Sequence, residues 1–259
     1  MDFDIITSSL DNIGWAETFI LSMSNTISDI NRKIIIVDSS LDENYHRLLR
    51  LDKRGLNIQI VRHEKGFIQS WMYGIEQSTS AHICVCHIDI VFLLKNWDEY
   101  LKQKIAEGYS LVSSCTRTIN FAESVFSLSL KNIFEKSGFA HDVLDWDEKV
   151  LPKPPRRVEM GSLTYYNALM GTSFLKLNQC LRFPGAGHIV LDDIGRELLY
   201  HSFYSTRNIP TSSCPVMGSE KEQAQFHLDN LDRMNGLLRD YVLNLWPEQL
   251  NDHMSRWLK

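Results

Sequence analysis

The sequence lacks the features that mark several common classes of protein. Its 27 lysines and arginines are outnumbered by 32 acidic residues, and a net charge of -5 argues against a dedicated nucleic-acid-binding surface. No apolar run approaches the roughly 20 residues that cross a bilayer, and the N-terminal sequence MDFDIITSSL carries no signal-peptide pattern. We therefore expect a cytoplasmic protein, with peripheral contact at the inner membrane surface left open as an alternative.

Cysteines are few and irregularly spaced. There are five, an odd number, and the single residue between Cys84 and Cys86 is too short a gap for a zinc knuckle. On a strand these two side chains point to the same face, which is typical of small core residues. The pattern favours a reducing compartment.

The glycine-rich motifs that bind phosphate are also missing. No GxGxxG follows the first apolar strand, at residues 3–7, and the chain has no P-loop motif. Any phosphate group would therefore have to be bound by a metal ion or by basic side chains. Arg156 and Arg157 of the proline-rich segment LPKPPRR are candidates, although a solvated surface loop is the simpler interpretation.

Short apolar strands alternate with helical segments in the first part of the chain. The predicted strands are residues 3–7, 33–37, 57–61 and 83–86, and the predicted helices between them are residues 15–24, 45–51 and 67–77. This order predicts an α/β fold with a mostly parallel central sheet and helices on both faces. The carboxyl ends of such strands share one edge, where ligands bind. The residues expected to line it are Thr7, Asp38, Arg62 and Asp89.

The fourth predicted strand runs directly into His87-Ile88-Asp89. A histidine and an aspartate two residues apart at a strand end can face one pocket. A carboxylate in this position can hold a hard divalent cation, which in turn holds phosphate oxygens. The alternative interpretation is a polar strand end that only closes a loop.

A second acidic stretch lies within residues 181–200, LRFPGAGHIVLDDIGRELLY. A glycine-rich turn leads to Asp192 and Asp193, and apolar residues follow at the helical spacing of Ile194, Leu198 and Leu199. We expect a helix that begins at the two acids, because carboxylates are favourable at the positive end of a helix dipole. That dipole alone would account for one of the acids without catalysis.

Taken in order, these motifs resemble those of family 2 glycosyltransferases, which have the GT-A fold. The segments that carry the resemblance are IIIVDSSLDEN at the second strand, HEKGFIQSWMYGI at the third helix, CHIDIVFLLKNW at the metal-site strand and LDDIGRELLYHS at the later acidic pair. The match runs from Phe3 to Met217, and the order and spacing of the motifs carry it. CHIDIVFLLKNW is similar to an HxD variant of the family's DxD motif.

The resemblance implies an inverting transfer of a sugar from a nucleotide-diphospho-sugar, with a UDP-sugar favoured, to a hydroxyl of a glycan or glycolipid acceptor. It also implies a divalent cation, Mn2+ or Mg2+, and a role in polysaccharide biosynthesis. Asp193 would be the general base, with Asp192 preceding it, and Asp89 would hold the cation. The residues implied in nucleotide-sugar binding are Thr7, Ser8, Asp38, Arg62, Gly66, His87 and Asp89.

The chain departs from the family pattern at two positions. His87 stands where the family has an aspartate, and Met72 replaces the asparagine of the third helix. Imidazole suits manganese or zinc better than magnesium. Three roles therefore stay open for His87: a cation ligand, a ribose contact or a structural residue. His227 is a candidate third ligand, with an ordinary surface histidine as the alternative.

The resemblance divides the chain into a GT-A domain, residues 1–218, and a helical tail, residues 219–259. The domain would consist of a nucleotide-binding half, residues 1–115, and an acceptor-binding half, residues 116–218. Two other functions stay open. One is a sugar-nucleotide-binding module that has lost catalysis, for which the substitution at His87 is the support. The other is a nucleotidyltransferase of similar architecture, but residues 8–12 lack its glycine-rich basic signature.

Overall fold

The structure is a computed structural model, and it describes residues 2–10, 13–63, 67–114, 116–118, 121–123, 126–137, 157–158, 173–183 and 187–201. The helices in these ranges are α1 (Ile13–Thr26), α2 (Asp42–Leu49), α3 (Phe67–Gln77), α4 (Trp97–Ala106) and α5 (Lys131–Ser137). The strands of the largest sheet are β1 (Phe3–Ser9), β2 (Ile34–Asp38), β3 (Ile58–Arg62), β4 (His82–His87), β6 (Leu111–Ser113), β9 (Phe126–Leu130) and β11 (Phe174–Lys176).

Two smaller sheets accompany the large one. The strands of the four-stranded sheet are β5 (Ile90–Phe92), β12 (Asn178–Phe183), β13 (Gly187–Leu191) and β14 (Glu197–His201). Those of the three-stranded sheet are β7 (Thr116–Thr118), β8 (Phe121–Glu123) and β10 (Arg157–Val158).

The central sheet is mostly parallel, which confirms the predicted fold class. Its strand order is β11-β6-β9-β4-β1-β2-β3, and β9 runs antiparallel to both of its neighbours. This strand, Phe126–Leu130, is not among the four strands predicted from the sequence.

The hydrophobic core lies on both faces of this sheet. All seven residues of β1 are buried, as expected for a central strand covered on both sides. Ile5 belongs to a cluster that includes Phe19 of α1, whereas its neighbour Ile6 belongs to a cluster that includes Trp71 of α3. Cys84 and Cys86 are buried free thiols, as predicted.

A glycine allows α3 to approach the sheet closely. A Cβ atom at Gly74 would lie 2.6 Å from Cγ2 of Ile6 and 2.9 Å from Cγ2 of Val37. Both contacts are below the separation that real Cβ atoms show, and β-branched side chains have little freedom to rotate away. The close approach places Trp71 with its ring centroid 5.4 Å from that of His87.

A buried ion pair fixes the amino-terminal edge of the sheet. Arg32 is fully buried and donates to the carbonyl of Phe3 at 3.0 Å and to Asp98 at 3.3 Å. Asp98, in the first turn of α4, also accepts hydrogen bonds from the backbone N and the hydroxyl of Ser28, both at 2.8 Å. These bonds join the α1–β2 connection to α4.

The four-stranded sheet begins where the chain leaves the central sheet. β4 ends at His87, and after a two-residue turn β5 pairs antiparallel with β14, with Ile90 opposite His201. β14 in turn pairs with β13 in an antiparallel hairpin. The end of β14 is thereby brought to the end of β4, although the two are far apart in sequence.

The helix predicted to begin at Asp192 and Asp193 is absent, and that prediction was wrong. The two acids lie in the turn of the β13–β14 hairpin. One carboxylate oxygen of Asp192 accepts hydrogen bonds from the backbone N of Ile194, at 3.1 Å, and of Arg196, at 2.7 Å. Gly195 has φ of 86°, a left-handed conformation that glycine adopts at little cost.

Several predicted features fall outside the described residues, among them Arg156 and the helical tail from residue 219. None of the helices in the described part of the chain is both long and apolar enough to cross a membrane.

Candidate active site

The parallel register brings the ends of four neighbouring strands to one edge of the central sheet. Ser8 pairs with His87 across β1 and β4, Ser9 pairs with Asp38 across β1 and β2, and Asp38 pairs with Arg62 across β2 and β3. Thr7 lies in the same strand, two residues before Ser9. The residues predicted for the nucleotide-binding edge are therefore close together, apart from Gly66, which lies outside the described residues.

Three consecutive hydroxyl groups are buried at the end of β1. Thr7, Ser8 and Ser9 are 0%, 7% and 2% exposed. No residue in the described part of the chain makes a hydrogen bond with any of their side-chain oxygens. Because a buried polar group without a partner is costly, these hydroxyls mark a place where a polar ligand would be favourable. Sequence alone suggested Thr7 and Ser8 but not Ser9.

Asp38 is fully buried at the end of β2. Its carboxylate accepts hydrogen bonds from the hydroxyl of Ser40, at 2.7 Å, and from the backbone N of Ser40, at 3.1 Å. These bonds form a tight turn directly after the strand. The turn holds the carboxylate at the sheet edge next to Ser9.

Arg62 supports the neighbouring loop. Its guanidinium forms an ion pair with Asp42, donates to the carbonyl of Ser40 at 3.3 Å and lies 5.1 Å from the ring centroid of Tyr45. Asp42 is the first residue of α2, and Leu41 in the N-cap position makes no side-chain cap. Arg62 thus fastens the start of α2 to the end of β3.

The most distinctive feature of the edge is a cluster of His87, Asp89 and His201. Nδ1 of His87 lies 3.7 Å from Oδ1 of Asp89, and Nε2 of His201 lies 3.4 Å from the same oxygen. One potential ligand atom from each residue lies within 4.8 Å of the other two. The side chains are 13%, 6% and 3% exposed in that order. They form a compact set of nitrogen and oxygen donors with little access to solvent.

This donor set fits a divalent metal ion. Ligand atoms bound to one tetrahedral ion lie roughly 3.3–3.6 Å apart, given metal–ligand distances of about 2.0–2.2 Å. The two separations from Asp89, 3.4 and 3.7 Å, are close to that spacing, and the two imidazole nitrogens lie within 4.8 Å of each other. Two imidazoles and one carboxylate suit manganese, cobalt or zinc. The prediction of a cation site at Asp89 with His87 as a possible ligand is therefore consistent with the geometry.

Sequence reasoning missed His201. The residue lies in the segment ELLYHS, which we assigned to a helix because of its leucine spacing. The overlooked signal was the glycine-containing turn before it, which is typical of a hairpin and would have made this segment a strand. His227, the predicted third ligand, lies outside the described residues.

Aromatic side chains surround the cluster. The rings of His87 and His201 meet edge to face with centroids 5.2 Å apart, and Trp71 lies behind His87. Burial, together with the nearby negative charge of Asp89, raises the pKa of Tyr200 above its ordinary value. The phenol therefore stays protonated at neutral pH.

Asp193 lies away from this cluster. The four residue steps of β14 alone separate its two ends by roughly 13 Å at about 3.3 Å per residue, and Asp193 precedes β14 whereas His201 ends it. Its carboxylate accepts a hydrogen bond from the hydroxyl of Tyr100, at 3.1 Å, and lies 2.6 Å from Nζ of Lys104. Asp192 is buried and bonded to Arg196, whose Nε lies 2.6 Å from it.

The contacts of Asp193 favour its ionised form. Burial alone would raise the pKa of Asp193, but hydrogen bonds from Lys104 and Tyr100 outweigh burial and hold that pKa below its ordinary value. The same pairing raises the pKa of Lys104. The structure thus places Asp193 in an ion pair that attaches the hairpin to α4.

Comparisons with known proteins give likenesses of structure only. No protein-family model and no curated protein matches the chain. The mannosyltransferase PcManGT from Pyrobaculum calidifontis, solved with GDP-Man and Mn2+, matches with a TM-score of 0.53 and 11% identity, over 98% of this chain and 79% of that one. S. aureus TarS 1-349 in complex with UDP-GlcNAc matches with a TM-score of 0.50 and 10% identity, over 98% and 84%.

A further structure of S. aureus TarS 1-349 matches over 93% of this chain and 73% of that chain, with a TM-score of 0.50 and 11% identity. At such low identity these likenesses establish the fold and nothing finer. The chain has the GT-A type of α/β fold. This agrees with the fold that its sequence motifs implied.

Proposed function

We propose that the chain is a glycosyltransferase that uses a nucleotide-diphospho-sugar and a divalent cation bound by His87, Asp89 and His201. The observation that carries the proposal is the position of this cluster. It lies at the carboxyl edge of a mostly parallel sheet, next to Ser8, and ligands of open α/β sheets bind at that edge.

In this proposal, different residues of the edge bind different parts of the donor. A cation in this position neutralises charge on the oxygens of a diphosphate leaving group. Thr7 and Ser9 project from one face of β1 and Ser8 from the other, and each buried hydroxyl can both donate a hydrogen bond to the donor and accept one from it. Asp38 adds a carboxylate that can accept from a base or a ribose.

The ligands named for the similar structures support this class of donor. One of those proteins holds GDP-Man and Mn2+, and another holds UDP-GlcNAc. For this chain we favour a UDP-sugar, as the sequence resemblance implied, and treat GDP-sugars as the next class to test. Gly66 and His227 stay predictions for the donor and cation sites.

We propose the hydroxyl of a glycan or glycolipid as acceptor and a direct, inverting displacement as the reaction. Such a displacement needs a base to take the proton of the acceptor hydroxyl. We do not propose Asp193 for this step, because its carboxylate is bound by α4 at the far end of β14.

Thermal stabilisation by sugar nucleotides tests the proposal. The chain is heated with UDP-, GDP-, CMP- and dTDP-sugars, each with and without Mn2+. A donor at about 100 times its dissociation constant adds roughly 2.7 kcal/mol, which is visible as a shift in melting temperature. We expect a manganese-dependent shift with one nucleotide class. No shift with any of them would refute the proposal.

Two matched variants test whether the manganese-dependent shift in melting temperature depends on Asp89. Asp89→Asn is expected to lose the manganese-dependent part of the shift, because it removes the charge that holds the cation. Asp52→Asn makes the same chemical change in an exposed turn and is expected to behave as the wild type. A shift that survives in Asp89→Asn would remove Asp89 from the cation site.

A further inference from the structure

The cluster of His87, Asp89 and His201 supplies more protein ligands than a cation needs when its substrate also supplies ligands. Magnesium in phosphate-handling sites is usually held by one or two carboxylates together with substrate oxygens. Here three protein side chains converge, and two of them are imidazoles. The nucleotide is not needed to complete a set of this kind, since three protein ligands plus water already satisfy metals such as zinc.

The three side chains are held in place by the backbone. His87 ends β4 and His201 ends β14, while Asp89 lies in the two-residue turn between β4 and β5. Ile90, the residue after Asp89, pairs with His201 itself. The relative positions of the three donors are therefore fixed by strand pairing and do not wait for a ligand to order them.

The ligands come from two different sheets. His87 belongs to the central sheet, whereas His201 belongs to the four-stranded sheet. An ion bound by both would link the two sheets and would bind the folded chain far better than the unfolded one. Ion binding of this kind raises the apparent stability of the fold.

We propose that the chain binds a divalent transition-metal ion through His87, Asp89 and His201 in the absence of any nucleotide. The ion links the two sheets and is in place before the donor binds. Imidazole ligands favour cobalt and zinc over magnesium and calcium, and manganese, which also accepts the carboxylate, binds more weakly than cobalt. The role of this ion in the reaction rests on the proposed function, but its binding does not require a donor.

The test uses the full chain, stripped of metal with a chelator, dialysed and kept free of nucleotide. It is titrated with MnCl2, CoCl2 and MgCl2 while melting temperature and calorimetric heat are recorded. At about 100 times the dissociation constant, we expect manganese and cobalt to raise the melting temperature by about 5 °C or more. Magnesium at the same concentration is expected to leave it unchanged. Cobalt should also give the visible absorption of a nitrogen-ligated ion.

Three variants assign the ion to this cluster. His201→Ala is expected to lower the affinity for manganese about tenfold or more, as does loss of an interaction that supports a metal site. Asp89→Asn keeps the shape of the side chain and guards against a failure of His201→Ala to fold; it is expected to lose affinity as well. His46→Ala removes an exposed histidine of α2 and is expected to keep the affinity of the wild type.

Two results would overturn the inference. One is wild-type metal affinity in both His201→Ala and Asp89→Asn, which would place the ion elsewhere. The other is metal binding only when a sugar nucleotide is present. In that second case the manganese-dependent donor shift would remain, so the proposed function would stand while this inference failed. If the chain bound the metal ion but no sugar nucleotide, this inference would stand and the proposed function would fail.

Discussion

At the scale of single residues, two carboxylates of the chain have different surroundings. Asp89 lies beside two imidazoles with little access to solvent, whereas Asp193 is paired with an ammonium group and a phenol. The first arrangement leaves room for a cation between donors. The second already supplies the positive partner, so the carboxylate serves to attach the hairpin.

The role of Asp193 can be tested by one substitution. Asp193→Asn removes the ion pair with Lys104 but keeps the size of the side chain. Since the pair is partly exposed, we expect a loss of up to about 1 kcal/mol in the free energy of unfolding and sugar transfer within about twofold of the wild type. Denaturant unfolding and turnover measure the two effects. Abolished transfer in a folded variant would restore Asp193 as the base.

The same variant has a predicted pH dependence. The pKa of Asp193 is lowered in the folded protein, so its stabilising contribution is present above the unfolded pKa of about 3.9 and is lost as the pH falls through the folded pKa. The difference in unfolding free energy between wild type and Asp193→Asn should thus be seen at pH 7 and vanish in strong acid. A difference that grew on acidification would contradict the ion pair.

At the scale of elements, the approach of α3 to the sheet depends on a missing side chain. Gly74→Ala puts a methyl group against Ile6 and Val37, and overpacking of this kind costs about 1–3 kcal/mol. Alanine is otherwise better in a helix by about 1 kcal/mol, which offsets part of that cost. We expect a net loss of stability by denaturant unfolding. Glu76→Ala, at an exposed position of α3, is the control and should not destabilise.

The elements that could be predicted were those in which the apolar pattern has one interpretation. β1 to β4 are short, mainly apolar runs with polar ends, and their pattern predicts strands without reference to anything else. The segment after Asp192 was ambiguous, because Ile194, Leu198 and Leu199 fit a helix while the turn that contains Gly195 fits a hairpin. The structure has the hairpin, since the carboxylate of Asp192 closes the turn.

At the scale of the whole molecule, the site is made by long-range pairing that the sequence does not display. The edge formed by Ser8, Asp38 and Arg62 follows from strand order and could be predicted. The position of His201 next to Asp89 could not be predicted, because it depends on the pairing of β14 with β5, which are more than a hundred residues apart in the sequence. Asp193, the base that the resemblance implied, lies in the turn before β14, whereas His201 lies at the end of that strand.

The proposed function requires that this edge activates a nucleotide-diphospho-sugar with the help of a cation. The most direct measurement is slow hydrolysis of the sugar nucleotide that binds, followed by release of nucleoside diphosphate with and without Mn2+. We predict that the wild type releases nucleoside diphosphate in the presence of manganese and that Asp89→Asn does not. Donor binding without any release, or cleavage to nucleoside monophosphate and sugar 1-phosphate in place of nucleoside diphosphate, would contradict the proposed function.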